Sequence, residues 1–356
     1  MTEIRARALL LARDDKYHPG IEAELGAKRV VHWLAEEGID VTQTRDRAVM
    51  SEAGLRLRPR REAVTLPSAG VIGLGAMGGP AARNLAAAGY RVSGYDTSAE
   101  RLAAASEQGV TPAPSVEALV DGCKVVLTSL PSSGSWVQLA ERHLVPRACS
   151  GQLFIDLGTV APPETRRLAA AFAAAGAALV DAPVSGGPTG AAGRTLFMFV
   201  GGDDEHVARA RPVLEALAGL GRITHCGPSG AGQVVKGVNQ LAMGLGAAAY
   251  LEAVAFGVNA GVRADVIGEA VGDDSGWRSI VGGTARRIAA GKGEEIGVKF
   301  RELPYFLREA QEAGFPLPLT EVLHALCDAG ERVVVDDNRP APSFYRELRA
   351  GRAQPG

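Results

Sequence analysis

A glycine-punctuated turn between two regular elements does most to limit what this chain can fold into. The apolar run Gly70–Ile72 leads directly into Gly73-Leu74-Gly75-Ala76-Met77-Gly78, and a helical stretch starts near Pro80. Gly73 permits a tight turn, Gly75 lets a pyrophosphate approach the backbone, and Gly78 lets helix and strand pack closely. The free N–H groups and dipole of the helix start then favour an anion. A second strand, Val92–Tyr95, ends in Asp96, whose carboxylate can accept ribose hydroxyls and would repel a 2′-phosphate. NAD is therefore the expected cofactor. Arg101, a turn downstream, keeps NADP open.

From about Ala69 to Gly227 short apolar runs alternate with alanine-rich helical stretches. The strand candidates are Gly70–Ile72, Val92–Tyr95, Val125–Ser129, Leu153–Asp156, Ala178–Ala182 and Phe197–Val200. Runs this short between helices predict a Rossmann-type, doubly wound parallel sheet covered on both faces. From about Ser229 to Gly330 the chain reads as all-helical, with breaks near Gly272–Gly276, Gly291–Gly293 and Phe315–Pro318. The expected organisation is an N-terminal extension over 1–66, a dinucleotide-binding domain over 67–229, an all-α substrate and dimerisation domain over 230–335, and a tail over 336–356. The extension reads as a small α/β piece with strand Ala8–Ala12, helix Gly20–Glu37, strand Ile39–Thr42 and a basic run from Arg56 to Arg61.

Two polar clusters stand out within the apolar pattern. Asp181-Ala-Pro-Val-Ser185-Gly186-Gly187 ends a strand in a hydroxyl and two glycines, a composition suited to an anion nest. Gly230-Ala-Gly232-Gln-Val-Val-Lys236-Gly-Val-Asn239-Gln240 puts a lone lysine into an apolar helix, with two amides three and four residues on, on its own face. A hydride transfer needs a group that exchanges the hydroxyl proton. An amine does so when apolar surroundings and a nicotinamide cation disfavour its charged form.

These stretches, with Gly193-Arg-Thr195-Leu-Phe-Met-Phe-Val-Gly201-Gly202, carry a resemblance. Residues 70 to about 330 resemble the β-hydroxyacid dehydrogenases, the family of 3-hydroxyisobutyrate dehydrogenase and tartronate semialdehyde reductase, with a nucleotide-binding domain of the 6-phosphogluconate dehydrogenase type. The resemblance implies an NAD(P)-dependent oxidoreductase interconverting a small β-hydroxy acid and its oxo acid or semialdehyde. It makes Lys236 the general acid/base, with Asn239 beside it. Ser185, Gly186, Gly187 and Gln240 become substrate contacts, and the glycine loop, Asp96, Leu130, Pro131, Thr159 and Arg301 cofactor contacts. Arg301-Glu302 stands where the family usually has Lys-Asp, and Gln240 where some relatives have Asn; Arg is a larger planar donor than Lys. Subunits packing through their helical domains into a homodimer or homotetramer are implied as well.

Other classes are disfavoured. A net charge of −2 gives no reason to expect nucleic acid or a membrane surface. The helical stretch Gln240–Val262 approaches membrane-span length but carries Gln240, Glu252 and Asn259. The N-terminus opens no apolar signal core. Cys123, Cys149, Cys226 and Cys327 form no CxxC pair, and the six histidines no HxxxH or HExxH pattern, so no metal and a reducing, cytoplasmic setting are expected. Trp277 reads as packing, with a pocket lining as the alternative. An imine reductase usually replaces the lysine retained here at 236, and an inactive dinucleotide-binding module would not need it.

Overall fold

The computed structural model describes residues 49–51, 54–56, 68–219, 221–291 and 302–326. The chain divides into two units, 1–65 and 66–356. In the first, β1 (Val49–Ser51) and β2 (Gly54–Arg56) form an antiparallel pair, with Met50 opposite Leu55. The elements expected between residues 8 and 42, and the basic run after Arg56, lie outside the described residues.

The second unit is built on one sheet. Its strands are β3 (Ser68–Ile72), β4 (Arg91–Tyr95), β5 (Thr111–Pro112), β6 (Val125–Thr128), β7 (Leu153–Asp156), β8 (Ala178–Asp181), β9 (Val184–Ser185), β10 (Phe197–Gly201) and β11 (Ile223–Gly227). The order across the sheet is β11-β10-β8-β7-β6-β3-β4-β5, with β9 added against β10. The helices are α1 (Gly78–Ala87), α2 (Ala99–Ser106), α3 (Val116–Gly122), α4 (Ser133–Leu139), α5 (Pro162–Ala174), α6 (Gly187–Gly193), α7 (Asp204–Ala218), α8 (Ala231–Asn259), α9 (Ala264–Val271), α10 (Gly276–Ala289), α11 (Leu303–Glu312) and α12 (Pro318–Leu326).

Alternation along each central strand explains why both faces are covered. Val71, Leu127, Ile155 and Val180 point into one core with Leu85 of α1 and Leu214 of α7. Their neighbours Ile72, Val126, Phe154 and Leu179 point into the other with Trp136, Leu168 and Phe172. Phe154 and Phe172 meet at 4.4 Å between ring centroids. Each fully buried side chain of this size contributes about 1.5–3 kcal/mol. The strands therefore read as continuous apolar runs, as parallel strands buried on both faces do.

All six expected strands are present, and pairing is parallel from β5 through β8. β10 departs from the expected parallel sheet: it pairs antiparallel with β8 through Gly201 and Asp181. A parallel return needs a crossover that packs on the sheet face. Here the chain doubles back instead, because β9 zips antiparallel onto β10, Val184 opposite Met198 and Ser185 opposite Phe197.

Beyond β11 every described element is a helix. Gly230, at φ +90°, turns the chain into the 29-residue α8. By length and hydropathy α8 could cross a membrane, but its first turns bury Gly232, Gln233, Lys236 and Gly237 against the rest of the fold. Pro304 falls in the first turn of α11, where its missing N–H costs no helical hydrogen bond. The helix is thus not interrupted by it.

Candidate functional site

β3 pairs with β4 on one side and β6 on the other, so the strand order reverses there. Open α/β sheets bind ligands in the crevice at the carboxyl ends of strands beside such a point. The loop Gly73–Gly78 leaves β3 into that crevice, and Leu130-Pro131 leaves β6 opposite it. Gly73 has φ +87°, and a Cβ there would lie 2.3 Å from the Ser129 carbonyl oxygen. A Cβ on Gly78 would lie 1.8 Å from the Gly73 carbonyl oxygen. At Gly75, chain neighbours aside, the nearest atom to such a Cβ among the described residues is Arg101 Nη1, at 3.7 Å, which leaves room for a ligand on this side of the loop.

Asp96 fastens the loop to β4. Its Oδ2 accepts the Leu74 N–H at 2.7 Å and its Oδ1 the Ser98 N–H at 2.8 Å. Arg101 Nη1 stands 3.7 Å from Oδ2. The buried carboxylate is thereby aimed at the loop while a half-exposed guanidinium flanks it. Gly73, Leu74, Gly75, Ala76, Met77, Gly78, Asp96, Leu130, Pro131 and Thr159 all lie at the carboxyl ends of β3, β4, β6 and β7. Donor N–H groups, close-approach glycines and an acid on one crevice fit a dinucleotide. Arg301 lies outside the described residues.

Three adjacent strands end in register in Thr128, Asp156 and Asp181. The Trp136 indole donates to Thr128 Oγ1 at 2.9 Å, and Thr128 donates to Asp156 Oδ1 at 2.7 Å. Asp156 Oδ2 is buried without a hydrogen-bond partner among the described residues. Burial pushes the Asp156 carboxyl up to about 7, against the pull of Thr128 and the Gly158 N–H, and the Asp181 charge adds to the rise. Burial raises Asp181 to about 6, opposed by N–H groups of Gly230 and Gln233.

These shifts carry a sign. Between about pH 4 and 7 the folded chain holds more protons on these two groups than the unfolded chain does. Stability therefore falls as pH rises through that window, by at most about 1.4 kcal/mol per pH unit per group. The exposed Glu117 carboxyl, held down to about 2 by its hydrogen bond with His143, gives the opposite slope, and only below about pH 4.5. We expect the urea midpoint of the free protein to fall from pH 5 to 8, and Asp156→Asn to flatten that slope and raise the midpoint at pH 8. A midpoint that climbs over this range would contradict the assignment.

Asp181 connects the sheet to α8. Its Oδ1 accepts the Gly230 N–H at 2.8 Å and its Oδ2 the Gln233 N–H at 3.1 Å. A carboxylate from β8 thus caps the helix start, where the dipole favours negative charge. Gly232 is required by the close docking, since a Cβ there would lie 2.4 Å from the Phe199 carbonyl oxygen. One turn later Lys236 is buried, and its Nζ donates to the Val184 carbonyl oxygen at 2.7 Å. That carbonyl belongs to the peptide leading into Ser185, so Lys236 and the Ser185-Gly186-Gly187 turn come together. Gly186 and Gly187 take φ +127° and +61°, conformations that favour glycine.

The amides after Lys236 are placed differently from each other. Asn239 is half-buried, with Nδ2 3.6 Å from Met243 Sδ. Gln240 donates to Glu302, so α8 and the start of α11 are tied through the residue that follows Arg301. Trp277 sits half-exposed at the start of α10, with the Arg278 guanidinium 4.7 Å from its ring centroid. The roles of Asp156, Asp181 and Gln233 are not legible in the sequence. The signals it offers are Asp181 at the head of a polar cluster and Gln233, an amide in a largely apolar helix start.

A family model described as the NAD binding domain of 6-phosphogluconate dehydrogenase matches residues 68–227. A second, described as NAD-binding of NADP-dependent 3-hydroxyisobutyrate dehydrogenase, matches residues 230–339. A 3-hydroxyisobutyrate dehydrogenase of Pseudomonas aeruginosa is 37% identical over 278 residues, covering 72% of this chain and 92% of its own length. A 2-(hydroxymethyl)glutarate dehydrogenase of Eubacterium barkeri is 31% identical over 267 residues, covering 73% of this chain and 88% of its own. The solved structure of Mycobacterium tuberculosis 3-hydroxyisobutyrate dehydrogenase with L-serine superposes with a TM-score of 0.65 at 29% identity, over 81% of this chain and 100% of that one. With the crevice, the strand-end acids and the buried lysine in place, the chain belongs to the β-hydroxyacid dehydrogenase family, NAD(P)-dependent oxidoreductases that act on the CH–OH group of hydroxy acids.

Proposed function

We propose that this chain oxidises 2-substituted 3-hydroxypropionates, R–CH(COO⁻)–CH₂OH, to the corresponding semialdehydes, and runs the reverse reduction. The names of the relatives support the class. 3-Hydroxyisobutyrate, 2-(hydroxymethyl)glutarate and serine all carry a hydroxymethyl group on the carbon that bears the carboxylate. The observation that carries the reading is the Lys236 amine, buried and hydrogen-bonded to the carbonyl that precedes Ser185.

In this reading residues 67–229 hold the dinucleotide and residues 230–335 complete the substrate site. Ser185, Gly186 and Gly187 cradle the carboxylate, and Asn239 orients the substrate oxygen beside Lys236. When bound, the oxidised nicotinamide would supply a hydride acceptor for the hydroxymethyl carbon, and Lys236 Nζ would take the hydroxyl proton. Gly73 through Gly78, Asp96, Leu130, Pro131, Thr159 and Arg301 are assigned to the cofactor. Gln240 is engaged by Glu302, so its part in substrate fit is to hold α8 against α11. The retained lysine disfavours an imine reductase or an inactive binding module.

A screen of 3-hydroxyisobutyrate, 2-(hydroxymethyl)glutarate and L-serine, each with NAD and with NADP, tests the reading. We expect turnover of at least one of these acids, with higher kcat/KM for NAD because Asp96 repels a 2′-phosphate. Asp96→Ala should narrow that preference. A strong wild-type preference for NADP would assign the ribose site to Arg101 instead.

The same reading makes the chain a cytoplasmic homodimer or homotetramer. Val234, Val238, Ala242, Ala249 and Phe256 share one exposed stripe along α8, and Phe256 is 76% exposed. Contiguous exposed apolar surface of this kind marks an interface. Light scattering at micromolar concentration should give a dimer or larger, and a monomer would remove the proposal.

A further inference from the structure

We propose that Gln233 is a positioning residue that locks the loop after β7 to the helix carrying Lys236, and so fixes the distance between the cofactor-contacting Thr159 and the proton-exchanging amine. This rests on the roles given above to Thr159 and Lys236. It adds a residue that has no part in either role.

The side chain is completely buried. Its Oε1 accepts the Val160 N–H at 3.0 Å, and its Nε2 donates to the Gly158 carbonyl oxygen, also at 3.0 Å. The amide therefore grips the backbone on both sides of Thr159. Its own N–H donates to Asp181 Oδ2, and Lys236 follows three residues later, on the same face of α8. The loop is braced from below as well, since the Gly158 N–H donates to Asp156 Oδ1 at 3.2 Å and the Leu157 N–H to the Thr128 carbonyl oxygen at 2.9 Å. One side chain thus joins the strand-end acids, the Thr159 loop and the lysine helix.

The chemistry of the grip specifies the residue type. One end must accept from an N–H and the other must donate to a carbonyl. A primary amide does both. A carboxylate of the same shape presents an acceptor to the Gly158 carbonyl, and a thioether supplies neither bond. A buried donor or acceptor left unpaired is costly, so an incorrect side chain frees the loop instead of leaving it in place.

Three variants, Gln233→Ala, Gln233→Met and Gln233→Glu, are compared with Lys236→Ala, using the acid turned over in the screen. Misplacement of reacting groups by about 1 Å costs up to about a hundredfold. We therefore expect Gln233→Ala and Gln233→Met to lose about ten- to a hundredfold in kcat at saturating NAD. The dissociation constant for NADH should rise by less than about threefold, because the glycine loop and Asp96 keep their contacts and only the one at Thr159 is loosened. Amide exchange of residues 158–160 in the free protein should quicken in both variants. In Gln233→Glu, kcat relative to the wild type at the same pH should rise on acidification, as the protonated carboxyl regains a donor. A purely structural role would lower the melting temperature without moving these readouts.

Folded Gln233→Met with wild-type kcat and unchanged exchange over 158–160, alongside an inactive Lys236→Ala, would overturn this inference alone. An active Lys236→Ala would instead remove the assigned base, leaving the loop exchange to judge the grip itself. Should every Gln233 variant fail to fold, the wild type still decides. Its Val160 amide must then exchange as slowly as the amides of β7, and rapid exchange would refute the bond.

Discussion

Lys236→Ala should lower kcat by about two to four orders of magnitude at saturating cofactor, the usual worth of a positioned acid/base. The loss should appear in turnover more than in cofactor affinity. Lys236 sits on α8, whereas the glycine loop and Asp96 belong to β3, β4 and their turns. Lys236→Arg should recover little, because a guanidinium stays protonated and cannot take the hydroxyl proton. Ser185→Ala should behave differently, raising KM for the acid more than it lowers kcat, since a carboxylate is gripped equally in ground and transition states. Near wild-type turnover in Lys236→Ala would reduce this lysine to a packing residue.

Gly78→Ala should be the most damaging single change to cofactor binding. The added Cβ falls 1.8 Å from the Gly73 carbonyl oxygen and 3.1 Å from Ser129 Cβ, and the nearer of these is backbone that cannot rotate away. The start of α1 must move off β3, and the N–H groups proposed to hold the pyrophosphate move with it. Loss of two hydrogen bonds to a charged group, at roughly 1.5 kcal/mol each, lowers affinity for NADH by about a hundredfold. Gly122→Ala is the control: it ends α3, and a Cβ added there meets nothing within 4 Å among the described residues, so its affinity should not change. Equal affinities for both variants by fluorescence titration would show that the α1–β3 contact does not shape the site.

How far the sequence reveals this molecule depends on how local each signal is. The six apolar strands are legible because burial on both faces makes each a short apolar run between helices. The edge strands are not. β5 is the dipeptide Thr111–Pro112 with both residues exposed, and β11 presents Thr224 and His225 to solvent. The direction of β10 is hidden because alternation of side chains does not encode strand polarity; its pairings with β8, β9 and β11 reveal it. Lys236 is legible through its neighbours and the family resemblance, but its bond to Val184 spans 52 residues. The same separation hides the cap that Asp181 places on Gln233. A break in pattern, such as Gly230 before α8, marks where a helix starts but not which distant carboxylate receives it.

The most direct test of the proposed reaction follows the transferred hydrogen. 3-Hydroxyisobutyrate deuterated at its hydroxymethyl carbon is incubated with the protein and NAD, and the reduced cofactor is analysed by mass spectrometry. Direct hydride transfer predicts one deuterium in each reduced cofactor formed, matched by one semialdehyde. Reduced cofactor without deuterium, or none formed from any of the three hydroxymethyl acids, would contradict the account.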